Sequence, residues 1–171
     1  TYEEYIAMLD WSTEQREHPV AIRVPGAVIH GEKPTKDYGI LNKYETVQKG
    51  SGAAIIALGT FFGIGKQAAE LIEKKTGVKP TLINPVYITG IDEELLESLK
   101  KDHKAVITLE DDILDGGFGE KIARFYGDSD MRTVNFGLKK EFLDRYDANE
   151  VLRQNGLTPE QIADRAAELV K

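Results

Sequence analysis

The chain has 171 residues, 29 acidic against 22 basic side chains, a formal charge of −7 and no cysteine. That length supports one ordinary domain with an appendage around a sizeable core, and the missing thiols exclude disulfides, thiolate metal sites and cysteine nucleophiles while suiting a reducing compartment. Basic residues cluster no further than Lys74-Lys75, Lys100-Lys101 and Lys139-Lys140, and the longest apolar run is Ala53 to Leu58. A nucleic-acid backbone partner and a membrane-spanning helix of ~20 residues are both argued against.

Thr1-Tyr2-Glu3-Glu4 has the spacing of a capping box, so a helix is expected from the first residues, and a chain that opens on a cap reads as one cut from something longer. Tyr5, Met8, Leu9 and Ser12 continue it to near His18-Pro19, where proline restricts its predecessor. Val20 to Val24 then reads as a strand, and the stretch from His30 to Asn42, with Gly31, Pro34, Asp37 and Gly39, has linker composition. A domain boundary is expected there. Tyr44 to Lys49 alternates like a half-buried strand. Gly50-Ser51-Gly52 turns into Ala53 to Thr60, apolar enough to be buried on both faces, and these two strands are expected to pair antiparallel.

Beyond this point strand and helix alternate. Ala68, Leu71 and Ile72 line a helix closed by Gly77, Thr81 to Ile88 is a strand, and Asp92 caps a helix carrying Leu95, Leu96 and Leu99. Ala105 to Leu109 is a buried strand, Glu120 to Tyr126 a helix, and Met131 to Gly137 another strand. Thr158, Pro159 and Gln161 open a final helix with Ile162, Ala166, Leu169 and Val170 inward. The pattern predicts a three-layer α/β/α fold with a mostly parallel sheet and one antiparallel edge strand, preceded by a helix-strand remnant of a second domain.

Gly63-Ile64-Gly65-Lys66-Gln67-Ala68 matches the spacing of a dinucleotide loop, but no acid stands among residues 83 to 88, where a ribose partner is wanted. Close helix-strand packing is the expected role of these small residues. Gly116, Gly117 and Gly119 precede a helix and have the composition of an anion cradle, yet Asp111, Asp112, Asp115 and Glu120 would face any bound phosphate. A structural turn is expected instead. Those acids lack the spacing of a calcium loop, and His18, His30 and His103 have no partner at helical spacing, so no metal site is read.

Taken in order, Pro19 to Pro25, Gly50 to Thr60, Ile91 to Leu96, and His103 through Thr108-Leu109-Glu110 to Gly116-Gly117-Phe118-Gly119 resemble the end of transketolase-type thiamine diphosphate enzymes. Among the branches, 1-deoxy-D-xylulose-5-phosphate synthase is the most similar. The resemblance implies that residues 1–30 end a pyrimidine-binding domain, 31–42 form a linker, and 43–171 form a transketolase C-terminal domain. It implies a cytoplasmic transferase that joins pyruvate, with loss of carbon dioxide, to glyceraldehyde 3-phosphate. Thiamine diphosphate and Mg²⁺ would be held by upstream domains of a homodimer, with no cofactor or catalytic residue in this chain. The chain alone would be inactive, supporting the dimer and the edge of the site.

Arg23 matches the first of two arginines in the family stretch and is the candidate substrate-binding residue, suited to a phosphate by its bidentate geometry. Gly26 stands where the second belongs, and Thr89-Gly90 and Asp111-Asp112 also depart from the pattern. A transketolase-like ketol transferase with another acceptor, a nucleotide-binding module and an interaction module therefore stay open.

Overall fold

The computed structural model describes residues 1–170, and the chain divides into two compact units, Thr1–Leu41 and Asn42–Lys171. In the first, α1 spans Tyr2–Glu14. Its capping box is formed: the Thr1 hydroxyl accepts the Glu4 N–H at 3.2 Å, and the Glu4 carboxylate takes the terminal ammonium at 2.7 Å. The helix stops earlier than expected, because the Gln15 side chain turns back and its carbonyl accepts the N–H groups of Glu17 and His18 at 3.0 and 3.2 Å. The strand expected over 20–24 is absent from the ladders: the stretch has no regular secondary structure among the described residues. A strand exists only through a neighbour's N–H and C=O groups, which periodicity alone does not supply.

The second unit holds a five-stranded sheet ordered β1-β3-β2-β4-β5. Its strands are β1 (Glu45–Gln48), β2 (Gly52–Ala57), β3 (Thr81–Asn84), β4 (His103–Ile113) and β5 (Arg132–Leu138). All neighbours are parallel except β1 with β3. The expected pairing of the first two strands is thus corrected. β2 is apolar on both faces and needs neighbours on both edges, so β3 and β4 flank it and β1 lies outside β3, with a bulge between Thr46 and Gln48.

Alternate residues of β2 feed two cores. Ala53, Ile55 and Ala57 pack with α2 (Phe61–Thr76) and α6 (Pro159–Val170), through Ala68, Ile72, Ile162 and Ala166. Ala54 and Ile56 pack with α3 (Glu93–Leu99) and α4 (Phe118–Tyr126), through Leu96, Leu99, Ile122 and Tyr126. The result is the three-layer arrangement expected, with a short α5 (Ala148–Gln154) that no apolar stripe announces.

Helix ends follow their chemistry. Gly77 closes α2 at φ 73°, Asp92 caps α3 by accepting the Leu95 N–H at 3.1 Å, and Thr158 and Gln161 exchange hydrogen bonds of 3.3 Å at the start of α6. The buried Asp92 also accepts the Tyr44 N–H at 3.0 Å, fastening the entry to β1 onto α3.

Candidate functional site

In a parallel sheet wrapped by helices, chemistry collects at the carboxyl ends of the strands, where neighbouring connections diverge. Here the chain leaves β2 toward β3 on one side and later enters β4 on the other, so the divergence lies between β2 and β4. Leu58 to Thr60 and Glu110 to Ile113 stand there, and the Thr60 hydroxyl reaches the Asp111 carboxylate at 3.5 Å.

The decisive side chain is Glu110. It is 2% exposed, inside β4, and its two oxygens accept the N–H groups of Phe118 at 2.7 Å and Gly119 at 3.0 Å, the first amides of α4. Burial pushes its carboxyl above the usual range, helped by Asp112 and Glu120, while those two N–H bonds oppose the shift. Gly117, the N-cap of α4, has no side chain to offer, and a Cβ there would lie 2.4 Å from a Glu110 oxygen. Glycine is therefore what lets the turn close over the carboxylate. Gly119 is constrained similarly, since a Cβ would meet the Thr108 hydroxyl at 2.6 Å and the Asn135 amide carbon at 2.7 Å.

The anion position at the start of α4 is filled by the chain's own carboxylate. A diphosphate does not fit there, and the glycine-rich turn is structural, as its flanking acids suggest. Sequence reasoning named those acids but missed Glu110 as the cap. The available signal was a glycine at the N-cap position after an apolar run, Ala105 to Leu109, that Glu110 follows directly as the first of three acids.

At the start of α2, the Phe61 and Phe62 N–H groups are taken by the carbonyls of Leu58 and Gly59 at 3.0 and 3.1 Å. A Cβ on Gly65 would sit 2.9 Å from the Ala57 methyl, so this glycine serves helix-strand contact, as expected. After β3, Val86 takes φ 60° in a γ-turn closed by Tyr87 N–H to Pro85 carbonyl at 2.5 Å, a strained state for a β-branched residue.

Arg23 belongs to the first unit, in its irregular exposed stretch. The histidines are dispersed. His30 Nδ1 lies 2.9 Å from Glu3, holding that carboxyl down to about 2 together with the Gly31 N–H, while the His18 ring lies 6.1 Å from that of Trp11, tilted by 50°. Among the described residues no three His, Cys, Asp or Glu converge on a metal position, and no helix is long and apolar enough to cross a membrane.

Residues 42–162 match the family described as transketolase, C-terminal domain. The chain belongs to the transketolase C-terminal domain family. Within the wider transketolase group it is 33% identical over 150 residues to 1-deoxy-D-xylulose-5-phosphate synthase of Shouchella clausii, covering 85% of this chain and 24% of that protein. It is 32% identical over 171 residues to the synthase of Clostridium tetani, covering 98% and 27%. The chain thus spans about a quarter of the length of these curated relatives. A solved split-gene transketolase, titled an inactive beta4 tetramer, superposes with a TM-score of 0.67 at 22% identity, over 76% of this chain and 44% of that one. Transketolase of Pichia stipitis does so at 0.52 and 19%, over 75% and 18%. The transketolase C-terminal fold is thereby shown, with its mixed five-stranded sheet and one antiparallel pair.

Proposed function

We propose that the chain is the C-terminal lobe of a cytoplasmic, thiamine diphosphate-dependent transferase of the 1-deoxy-D-xylulose-5-phosphate synthase type, inactive alone and supporting a homodimer. One observation carries this reading. The family match begins at residue 42, but likeness to the Clostridium tetani synthase runs over 98% of the chain, so it takes in residues of both units. A generic transketolase lobe does not require that. In the whole protein, residues 1–30 would complete the pyrimidine-binding domain and 31–42 would link it to this lobe.

Thiamine diphosphate, with Mg²⁺, would supply the electron sink for pyruvate decarboxylation from upstream domains. The residues here supply scaffold and orientation: Glu110 fixes α4 to β4, and Asp92 fixes α3 to the entry of β1. Arg23 is proposed to hold the acceptor's phosphate. In the full-length enzyme, Arg23→Ala should raise the KM for glyceraldehyde 3-phosphate about tenfold with kcat preserved, the loss of one charge-assisted hydrogen-bond pair. An unchanged KM removes Arg23 from the site. Calorimetry of the 171-residue chain should detect no thiamine diphosphate binding with Mg²⁺ present, and micromolar binding would defeat the reading.

A further inference from the structure

At the amino ends of the strands, opposite the loops just described, lies a cavity of about 680 Å³ lined by Lys100, Lys104, Arg132, Ser129, Asp130 and the wall residue His103, with the apolar Met131 and Leu169 beside them. Three cations from three elements meet there in a chain of net charge −7. Lys100 ends α3, Lys104 lies near the start of β4, and Arg132 opens β5. Asp130 is the acid lining the same space. Each charge is placed differently. Lys100 Nζ is held 2.6 Å from Glu97 and 5.2 Å from the Phe125 ring centroid, so its stem and head are pre-positioned. Lys104 Nζ reaches the Val170 carbonyl at 3.4 Å. The Arg132 guanidinium has neither hydrogen-bond nor ion-pair partner among the described residues.

His103 contributes shape only. Its Nδ1 faces the Leu99 carbonyl at 3.1 Å and Asp102 at 2.6 Å, and its Nε2 faces the Thr81 hydroxyl at 2.8 Å, so both ring nitrogens are committed.

We propose that this cavity binds a small phosphorylated anion, with Arg132 as the bidentate contact and Lys104 and Lys100 as supporting charges. A guanidinium with no partner among the described residues matches the oxygen spacing of a phosphate. The volume falls among those of small-molecule sites, roughly 300–1,000 Å³, which favours a metabolite-sized ligand over a protein segment. The site is separate from the substrate reading of Arg23, and its test needs no catalytic activity.

The experiment is an NMR titration of the full 171-residue chain with glycerol 3-phosphate and with inorganic pyrophosphate, against sodium chloride at matched ionic strength. Saturable shifts are expected at backbone amides of residues 100–104 and 129–132, weakening as salt rises. Arg132→Gln should weaken binding at least tenfold, or about 1.4 kcal/mol, while Lys121→Gln, outside the cavity, should leave it unchanged. If Arg132→Gln fails to fold, Lys104→Gln carries the same expectation. Shifts that do not saturate, or equal affinity in the Arg132 and Lys104 variants, overturn the proposal. A phosphoserine peptide binding tenfold tighter than glycerol 3-phosphate overturns the small-molecule assignment.

Discussion

The two ends of the sheet solve the same problem in opposite ways. At the amino end, backbone and side chains consume one another: the Gly50 N–H bonds the Thr81 hydroxyl at 3.0 Å, Thr81 meets His103, and His103 meets Asp102. The Ser51 N–H goes to the Lys79 carbonyl and the Gly52 N–H to that of Asp102, at 2.8 and 2.9 Å. At the carboxyl end, by contrast, a carboxylate is buried against its own preference and Val86 is held in a strained turn. Around Gly50, Thr81 and His103 the first end gathers stability through satisfied polar groups, and Arg132 stands outside that network. The second carries the unfavourable conformations that a fold tolerates where its loops serve something else.

The comparison breaks most visibly at Gly50. A Cβ there would lie 2.0 Å from the Lys79 carbonyl oxygen and 2.6 Å from the Pro80 carbonyl, both backbone. Gly50→Ala should cost about 3 kcal/mol in urea unfolding, at the upper end of overpacking losses. A loss below about 0.5 kcal/mol would show that the amino end yields easily, contrary to the network described.

Glu110→Gln sharpens the other side. The amide keeps one acceptor for the two N–H groups of α4 and turns a donor toward the second, an expected loss of about 1–3 kcal/mol near neutral pH. Because burial raises the carboxyl's pKa, the folded chain binds the proton more tightly than the unfolded one. The parent should therefore gain stability over the variant as pH falls from neutral through the raised pKa, and the gain should be complete below the ordinary carboxylate range. A gap that narrows on acidification would mean that the ionised form is the favoured one.

The smallest effect has the opposite sign. Val86→Gly should stabilise by about 0.5 kcal/mol, relief of the left-handed backbone outweighing the added chain entropy. Thermal denaturation giving a lower Tm would place the constraint on packing of the valine side chain instead.

Much of this division was legible beforehand, and the exceptions share a cause. The caps at Thr1, Asp92 and Thr158, the glycine stop at Gly77 and the helix-strand alternation are local chemistry, and each appears as expected. The pairing of β1 was misjudged because Gly50-Ser51-Gly52 has hairpin composition, while its actual partners in β3 lie 34 to 39 residues away in sequence. α5 escaped because Ala148–Gln154 buries nothing fully and shows no stripe, although Asp147 caps it through the Glu150 N–H at 2.9 Å. At the site, the glycines were visible and their purpose was not. Only the folded register places Glu110 over a turn eight residues further on. The cavity at Arg132 was invisible for the same reason, being assembled from the starts of β4 and β5 and the ends of two helices.

The irregularity at Val47 has one more implication. The outer margin of β1 is four residues long, kinked by the extra residue, and exposes Val47 by half. A flat ribbon of that composition would be a template for foreign chains to zip against, leading to fibrils. The kink spoils the repeat a newcomer would need, so the margin resists runaway growth.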